Sequence, residues 1–168
     1  TSSSITLAAI ATTGGNWTGG AGTFAPDRND ANAIYTPAIS EIGTTIILTW
    51  NVPDPDGAGP CTAATDQMNI TVNNATVANA GADQTITLPV NTANLSGSGS
   101  DPDGTIAAYL WTKISGPGGG TIANPALAST SVSGLLQGIY SYELRVTDNS
   151  GAVGRDTMQI TVNPDPNI

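Results

Sequence analysis

The segment best suited to chemistry is Asp101-Pro102-Asp103-Gly104. Two carboxylates one residue apart, on a turn that Pro and Gly tighten, offer hard oxygens to one cation. Ca²⁺ takes six to eight oxygens at about 2.3–2.6 Å, so the pair alone is too few. The same residues also read as an Asp-rich turn capped by its own backbone. Asp54-Pro55-Asp56-Gly57 repeats the tetrapeptide. It follows the strand that carries Trp50, where a hairpin turn is expected, so Asp54 and Asp56 are the weaker cation candidate. Glycosidases also pair carboxylates, about 5–9.5 Å apart across a sugar-sized cleft. No further acidic cluster surrounds either pair here, and the expectation is a protein that is not an enzyme.

The chain has 168 residues, 13 of them acidic and 4 basic, for a net charge of −9, and it has no His. Four basic side chains cannot neutralise a run of phosphates, which argues against nucleic acid as a partner. No apolar run approaches the roughly 18 residues of a spanning helix, so no membrane insertion is expected. Without His, neither a Ser–His–Asp nor a Cys–His site can be built from this chain. Its single Cys, Cys61, excludes an internal disulfide. Cys61 reads as an unpaired thiol, or as half of an intermolecular bond if two copies meet there. Thr1 follows no visible signal peptide or tag, and the chain reads as a mature product or an excised piece of a longer secreted chain. Few charges amid many Thr, Ser, Asn and Gly residues fit an extracellular surface protein.

Strand-forming runs position these residues. Ile5-Thr6-Leu7, Ala33-Ile34-Tyr35, and residues 45–52, 68–72, 85–88, 106–114, 130–132, 140–147 and 157–162 are rich in β-branched and aromatic residues. Each is bounded by Gly, Pro, Asn or Asp, the pattern of an all-β sandwich protein. The chain repeats itself. Residues 65–73, Thr-Asp-Gln-Met-Asn-Ile-Thr-Val-Asn, match residues 155–163, Arg-Asp-Thr-Met-Gln-Ile-Thr-Val-Asn. Residues 48–54 match 142–148 with a small offset, Trp17 matches Trp111, and Trp50 falls near Val146. Two tandem Ig-like β-sandwich domains follow, over residues 1–74 and 75–168. About 35 residues precede Trp111 in its domain but only about 16 precede Trp17. The first domain therefore lacks an N-terminal edge strand. Either the chain is cut short of that strand, or the domain does without one, or a strand of another subunit fills the gap, donated from Thr1–Thr13 or, less favourably, from the Pro-containing tail Asn163–Ile168.

Trp17, Trp50 and Trp111 read as core residues rather than a sugar-stacking platform. Tyr109, Tyr140 and Tyr142 divide between core and sheet face. Lys113, the only Lys, shares the face of Trp111 by alternation; an isopeptide crosslink to an Asn or an outward-turned amine are the two readings. Asn16, Asn69, Asn74 and Asn94 each begin an Asn-X-Ser/Thr sequon.

The second domain carries Asn79-Ala80-Gly81-Ala82-Asp83-Gln84, Leu95-Ser96-Gly97-Ser98-Gly99-Ser100-Asp101-Pro102-Asp103-Gly104, Tyr109-Leu110-Trp111, and residues 142–151, Tyr-Glu-Leu-Arg-Val-Thr-Asp-Asn-Ser-Gly. In this order they resemble the PKD domain family over about residues 77–163. The resemblance to calcium-binding PKD domains implies that the Asn79 side chain, the Ala80 carbonyl and Asp148 join Asp101 and Asp103 around one Ca²⁺. The first domain, with residues 15–24, Gly-Asn-Trp-Thr-Gly-Gly-Ala-Gly-Thr-Phe, then Ile34-Tyr35-Thr36-Pro37 and Gly59-Pro60-Cys61, resembles Ig-like repeats of Bacteroidetes surface and gliding adhesins. It departs from them in lacking a second Cys ahead of the first strand, the region where a strand is also missing. In that context Asp156-Thr157-Met158 looks like an O-glycosylation signal on Thr157. Together these imply a non-enzymatic, calcium-stabilised, rod-like unit of a cell-surface or secreted fibre. Its partners would be copies of itself or neighbouring repeats, and surface glycans. The alternative is a carbohydrate-binding or spacer module of a secreted glycoside hydrolase or large adhesin.

Overall fold

Tyr140, Tyr142, Leu144 and Val146 recur at every second position, the period of a strand with one face on a core. In the computed structural model all four are buried. The structure describes residues 3–10, 14–57, 59 and 62–167. Cys61 lies outside them. The chain forms two units, Thr1–Asn74 and Ala75–Ile168.

The first unit contains β1 (Ile5–Thr6), β2 (Asn16–Thr18), β3 (Thr23–Ala25), β4 (Ile34–Thr36), a 3₁₀ turn (Ile39–Glu41), β5 (Thr44–Val52) and β6 (Ala64–Val72). They make two sheets, β1-β4-β3 and β2-β5-β6. Leu7, Trp17, Tyr35, Leu48 and Trp50 fill the space between them. The Trp17 and Trp50 rings lie 5.2 Å apart.

The second unit contains β7 (Val77–Asn79), β8 (Gln84–Thr87), β9 (Ala93–Ser96), β10 (Ser98–Ser100), β11 (Ile106–Ser115), β12 (Thr121–Ile122), β13 (Ser129–Ser133), β14 (Gly138–Asp148) and β15 (Val153–Asn163). Sheets β11-β14-β15-β8 and β12-β13-β9 enclose Leu95, Trp111, Tyr140, Leu144, Met158 and Ile160, and β7 pairs with β10. The chain is all-β, a pair of tandem sandwiches.

The duplication holds at the level of register. Ile46, Leu48, Trp50 and Val52 face Ile70, Met68, Asp66 and Ala64. Tyr140, Tyr142, Leu144 and Val146 face Ile160, Met158, Asp156 and Gly154. Trp17 faces Trp50 as Trp111 faces Leu144. Trp50 therefore corresponds to Leu144 rather than Val146, and residues 48–54 match 142–148 without offset. Trp17 and Trp111 both donate their indole N–H to a loop carbonyl, Asp30 at 3.2 Å and Ala128 at 3.1 Å.

What differs is the opening strand. In the second unit β7 lies on β10, and β8 crosses to pair in parallel with β15. Among the described residues of the first unit neither has a counterpart, so β6 ends its sheet. Residues 5–9 are used elsewhere: Ile5 and Thr6 pair with β4, Leu7 is buried, and the amides of Leu7 and Ala9 donate to Ala33 and Ala31. The expected donor, Thr1–Thr13, is thus built into its own unit along much of its described length. In the tail, Asn163 belongs to β15 and Asp165 accepts the Asn167 amide at 2.9 Å.

Lys113 donates to the carbonyls of Pro117 and, at 2.9 Å, Gly119, with its amine 4.8 Å from the Tyr140 ring centre. This binds the Gly-rich loop to β11. Three of the four basic residues are tied into the fold in this way: Lys113; Arg28, 4.0 Å over the Phe24 ring; and Arg155, paired with Glu143.

Candidate cation site

The Asp101–Gly104 turn joins β10 to β11. Ile106 at the start of β11 pairs with Asp148 at the end of β14, so the register carries Asp148 to the same end of the sandwich. The two turns are stitched together. Asn149 donates its amide to Thr105 O at 2.9 Å and accepts the Thr105 amide on Oδ1 at 2.8 Å.

Asp148 is buried, and its carboxylate is engaged on both oxygens. Oδ1 accepts the amides of Ser150 and Ala152 at 2.8 and 2.9 Å, and Oδ2 accepts the Thr76 hydroxyl at 2.7 Å. Asp101 is the opposite case. Both its oxygens are shut off from solvent, and neither meets an N–H or O–H donor in hydrogen-bonding geometry. Burial, foremost, and then the Asp103 carboxyl push the Asp101 carboxyl above the usual carboxylate range. The Asp103 amide offsets part of this, and the charges of Asp103 and Asp148 add to it. The turn is tight for a reason. A Cβ on Gly104 would lie 2.3 Å from both Asp101 Oδ2 and Asn149 Oδ1, so only Gly lets these two oxygens approach one point.

A buried carboxylate with no donor is costly, and a cation or a proton relieves it. The donor set suits a hard cation: Asp101 Oδ1 and Oδ2, Asn149 Oδ1 and the exposed Asp103 carboxylate are all oxygens. Among the described residues, no three acidic or sulfur side chains converge as a ready-made metal cage. Water and carbonyl oxygens would have to complete the coordination.

The expected ligands Asn79 and Ala80 are not brought to this point. The β7–β10 register sets Asn79 opposite Ser98, three residues before Asp101, which is about 10 Å along a strand. Asn79 Oδ1 instead accepts the Gly81 amide at 2.8 Å, and the Ala80 amide donates to Asp156 at 2.8 Å. Asn149 is brought to the turn instead, and Thr76 stands against Asp148. The sequence signals them only weakly, as neighbours of β7 and of Asp148.

Asp54-Pro55-Asp56-Gly57 is the self-capped turn. Asp54 Oδ1 accepts the amides of Asp56 and Gly57 at 3.1 and 3.0 Å, and Asp56 Oδ1 accepts that of Gly59 at 2.9 Å. The Asp56 amide, above all, holds the Asp54 carboxyl below its usual range. Asp54 has donors in full hydrogen-bonding geometry, whereas Asp101 has only the partial help of the Asp103 amide. Of the modification candidates, Thr157, Asn69 and Asn94 are exposed, while Asn16 and Asn74 are half-buried.

Residues 80–162 match the family model described as K319L-like, PKD domain. Over 142 residues the chain is 32% identical to the dyslexia-associated protein KIAA0319 of Homo sapiens, covering 83% of this chain and 13% of that protein. It is 34% identical over 145 residues to the KIAA0319-like protein of Mus musculus, covering 83% of this chain and 14% of that one. The chain thus spans about one-eighth of the length of these relatives. Among solved structures, the PKD domain of KIAA 1837 protein is 36% identical, with 53% of this chain and 87% of that one covered, at a TM-score of 0.49. The second unit therefore carries a PKD domain of the K319L-like kind across residues 80–162.

Proposed function

We propose that the chain is a non-enzymatic, extracellular structural unit of a cell-surface or secreted fibre, stiffened by Ca²⁺ in its second unit. One observation carries the calcium assignment: the Asp101 carboxylate is shut off from solvent with no donor in full hydrogen-bonding geometry, the Asp103 amide compensating only in part, and it stands beside Asp103, Asp148 and Asn149. Asp101, Asp103 and Asn149 are the ligands proposed. Asp148 adds negative potential while its oxygens hold Thr76, Ser150 and Ala152. The bound ion supplies charge neutralisation and no reaction.

Calcium titration by calorimetry, with thermal unfolding in calcium and in chelator, tests this. At a hundredfold excess over Kd, Ca²⁺ should stabilise the second unit by about 2.7 kcal/mol. Asp101→Asn should abolish the response. In chelator at neutral pH, Asp101→Asn should be more stable than the parent, because the parent pays for a buried charge. The sign follows from a folded pKa raised above the unfolded one. The penalty appears as pH rises through the folded value, so the advantage of Asn should vanish in acid. Absence of both binding heat and a chelator effect would sink the calcium assignment.

The fibre part of the reading has units joining head to tail, and it goes with the resemblance proposed above between the first unit's motifs and repeats of bacterial surface adhesins. Electron micrographs of native material should show filaments; isolated particles would refute it. Glycans are proposed on the exposed Thr157, Asn69 and Asn94, which intact mass measurement would reveal. A carbohydrate-binding reading has one observation in its favour. A groove of about 860 Å³ in the first unit is lined by Gly15, Asn16, Asn29, Asn51 and Asp54. Behind Gly15 the buried Trp50 carries an indole N–H without a partner. All three Trp rings are buried, however, which removes the stacking surface such a module uses. Tight binding on a glycan array would favour this second reading.

A further inference from the structure

We propose that Arg145, on the outward face of β14, is a carboxylate-binding point between copies of this chain, and that it takes the Asp54–Gly57 turn of a second copy, with Asp56 at the contact. This rests on the reading of units that join head to tail, and it names the contact between them.

Strand alternation places Arg145 outside the core. Leu144 and Val146 are buried, so Glu143, Arg145 and Thr147 turn to the other face of the sheet. There Arg145 stands opposite Leu110 of β11 on one side and Arg155 of β15 on the other. Like charges directly opposite one another destabilise a sheet. One carboxylate on this face, that of Glu143, lies between the two guanidinium groups, and it pairs with Arg155. Arg145 is left over. Its side chain is half-buried, and its Nε is shut off from solvent without an acceptor. The other basic residues are tied into the fold, so this cluster is one carboxylate short. A guanidinium grips a carboxylate through two parallel N–H donors, and partial removal from water strengthens that grip. Leu110 and Val153, 41% and 40% exposed, border the group on the same face as aliphatic contacts.

The chain's own charge says what supplies the carboxylate. With 13 acidic residues against 4 basic ones, a second copy brings carboxylates to any contact it makes. Many of them are committed inside the fold: Glu41 and Asp148 are buried, and Asp83 and Asp156 accept amides of neighbouring strands. The Asp54–Gly57 turn is different. Residues 53–57 are all exposed, and they carry two carboxylates. Asp54 holds the turn together through the amides of Asp56 and Gly57, and Asp56 stands at its tip. A turn of one copy on a sheet face of the next is a heterologous contact, the kind that propagates into an open chain.

Sedimentation of the full chain tests this, on protein prepared without glycans because Thr157 lies opposite Glu143 on the same face. The parent should associate with rising concentration and less so with added salt. Arg145→Glu and Asp56→Lys should each weaken association at least tenfold. Mixed in equal amounts, the two variants should associate again, since each brings the half that the other lacks. Arg145→Gln should also weaken association, while its second unit unfolds no lower than the parent's, because the like-charge pair with Arg155 is relieved. A lower unfolding temperature would overturn the proposal, the guanidinium then serving its own fold. So would a parent that stays monomeric, association unchanged in either charge-reversed variant, or a mixture that stays apart. Filaments that persist in Arg145→Glu would remove this contact and leave the fibre reading standing. Association that needs both residues but closes into small rings would do the reverse.

Discussion

Replacing Glu41 by Gln should destabilise the first unit by about 3 kcal/mol, the scale of losing several hydrogen bonds to one buried charged group. Glu41 sits at the end of the 3₁₀ turn and is nearly excluded from solvent. The Tyr35 hydroxyl lies 2.8 and 2.7 Å from its two oxygens, Ala21 donates its amide to Oε1 at 2.6 Å, and Ala38 donates to Oε2 at 2.7 Å. Burial pushes the Glu41 carboxyl up, but the bonds from Ala21, Tyr35, Ala38 and Gly22 outweigh it and leave the group below its usual range. A folded pKa below the unfolded one means that the stabilisation is complete above the unfolded value and is lost as pH falls through the folded value. Thermal unfolding of the parent should therefore show the first unit weakening in acid, and Glu41→Gln should flatten that dependence. A variant as stable as the parent at pH 7 would refute the assignment. The Tyr35 hydroxyl, raised by burial and by Glu41, stays protonated throughout this range and keeps its donor role.

The second large effect is expected at Asp148. Asp148→Ala removes the acceptor for the Thr76 hydroxyl and for the amides of Ser150 and Ala152, inside a region that is 2% exposed at Asp148 and 7% at Thr76. Unsatisfied buried donors make such losses exceed the value of the bonds themselves, and about 3–4 kcal/mol is expected. For a unit of this size that lowers Tm by more than about 10 °C. Asp148→Asn keeps an oxygen for the two amides and should cost less than half as much. Differential scanning calorimetry should show the second unit's transition moving while the first unit's stays. Equal losses for Ala and Asn would mean that charge, not the three bonds, is what the fold needs from this residue.

The strands legible in the sequence are those whose own side chains alternate against a core. β5, β11, β14 and β15 announce themselves through runs such as Tyr140-Ser141-Tyr142-Glu143-Leu144. β7 and β10 do not: Ser98-Gly99-Ser100 carries no apolar pattern and becomes a strand because Val77-Ala78-Asn79 lies beside it. The same blindness limited the cation site. Spacing identifies Asp101 and Asp103, and the internal repeat separates them from Asp54. Whether Asn79 reaches them is a matter of register across that unpatterned pair, and the register puts Thr76 nearer. Glu41 is invisible for a different reason. It is one acidic residue after Ile39-Ser40, and its burial depends on Tyr35 and on two amides that only the folded loops deliver.

The coincidence of register between the two units also bears on how the chain reaches its native state. β5 presents to β6 the same ladder that β14 presents to β15, ninety residues on, and the pairing strands share Asp, Met, Ile, Thr and Val at matching positions. Backbone complementarity therefore does not tell the correct hairpin from the crossed one. Short loops within each hairpin favour the right partner kinetically, since closing a short loop costs less entropy than closing a long one. Trp50 against Leu144 then sorts the products by packing. Refolding from denaturant at high protein concentration, where strands of different molecules meet as readily as strands of one, exposes the chain to exchange between its own halves.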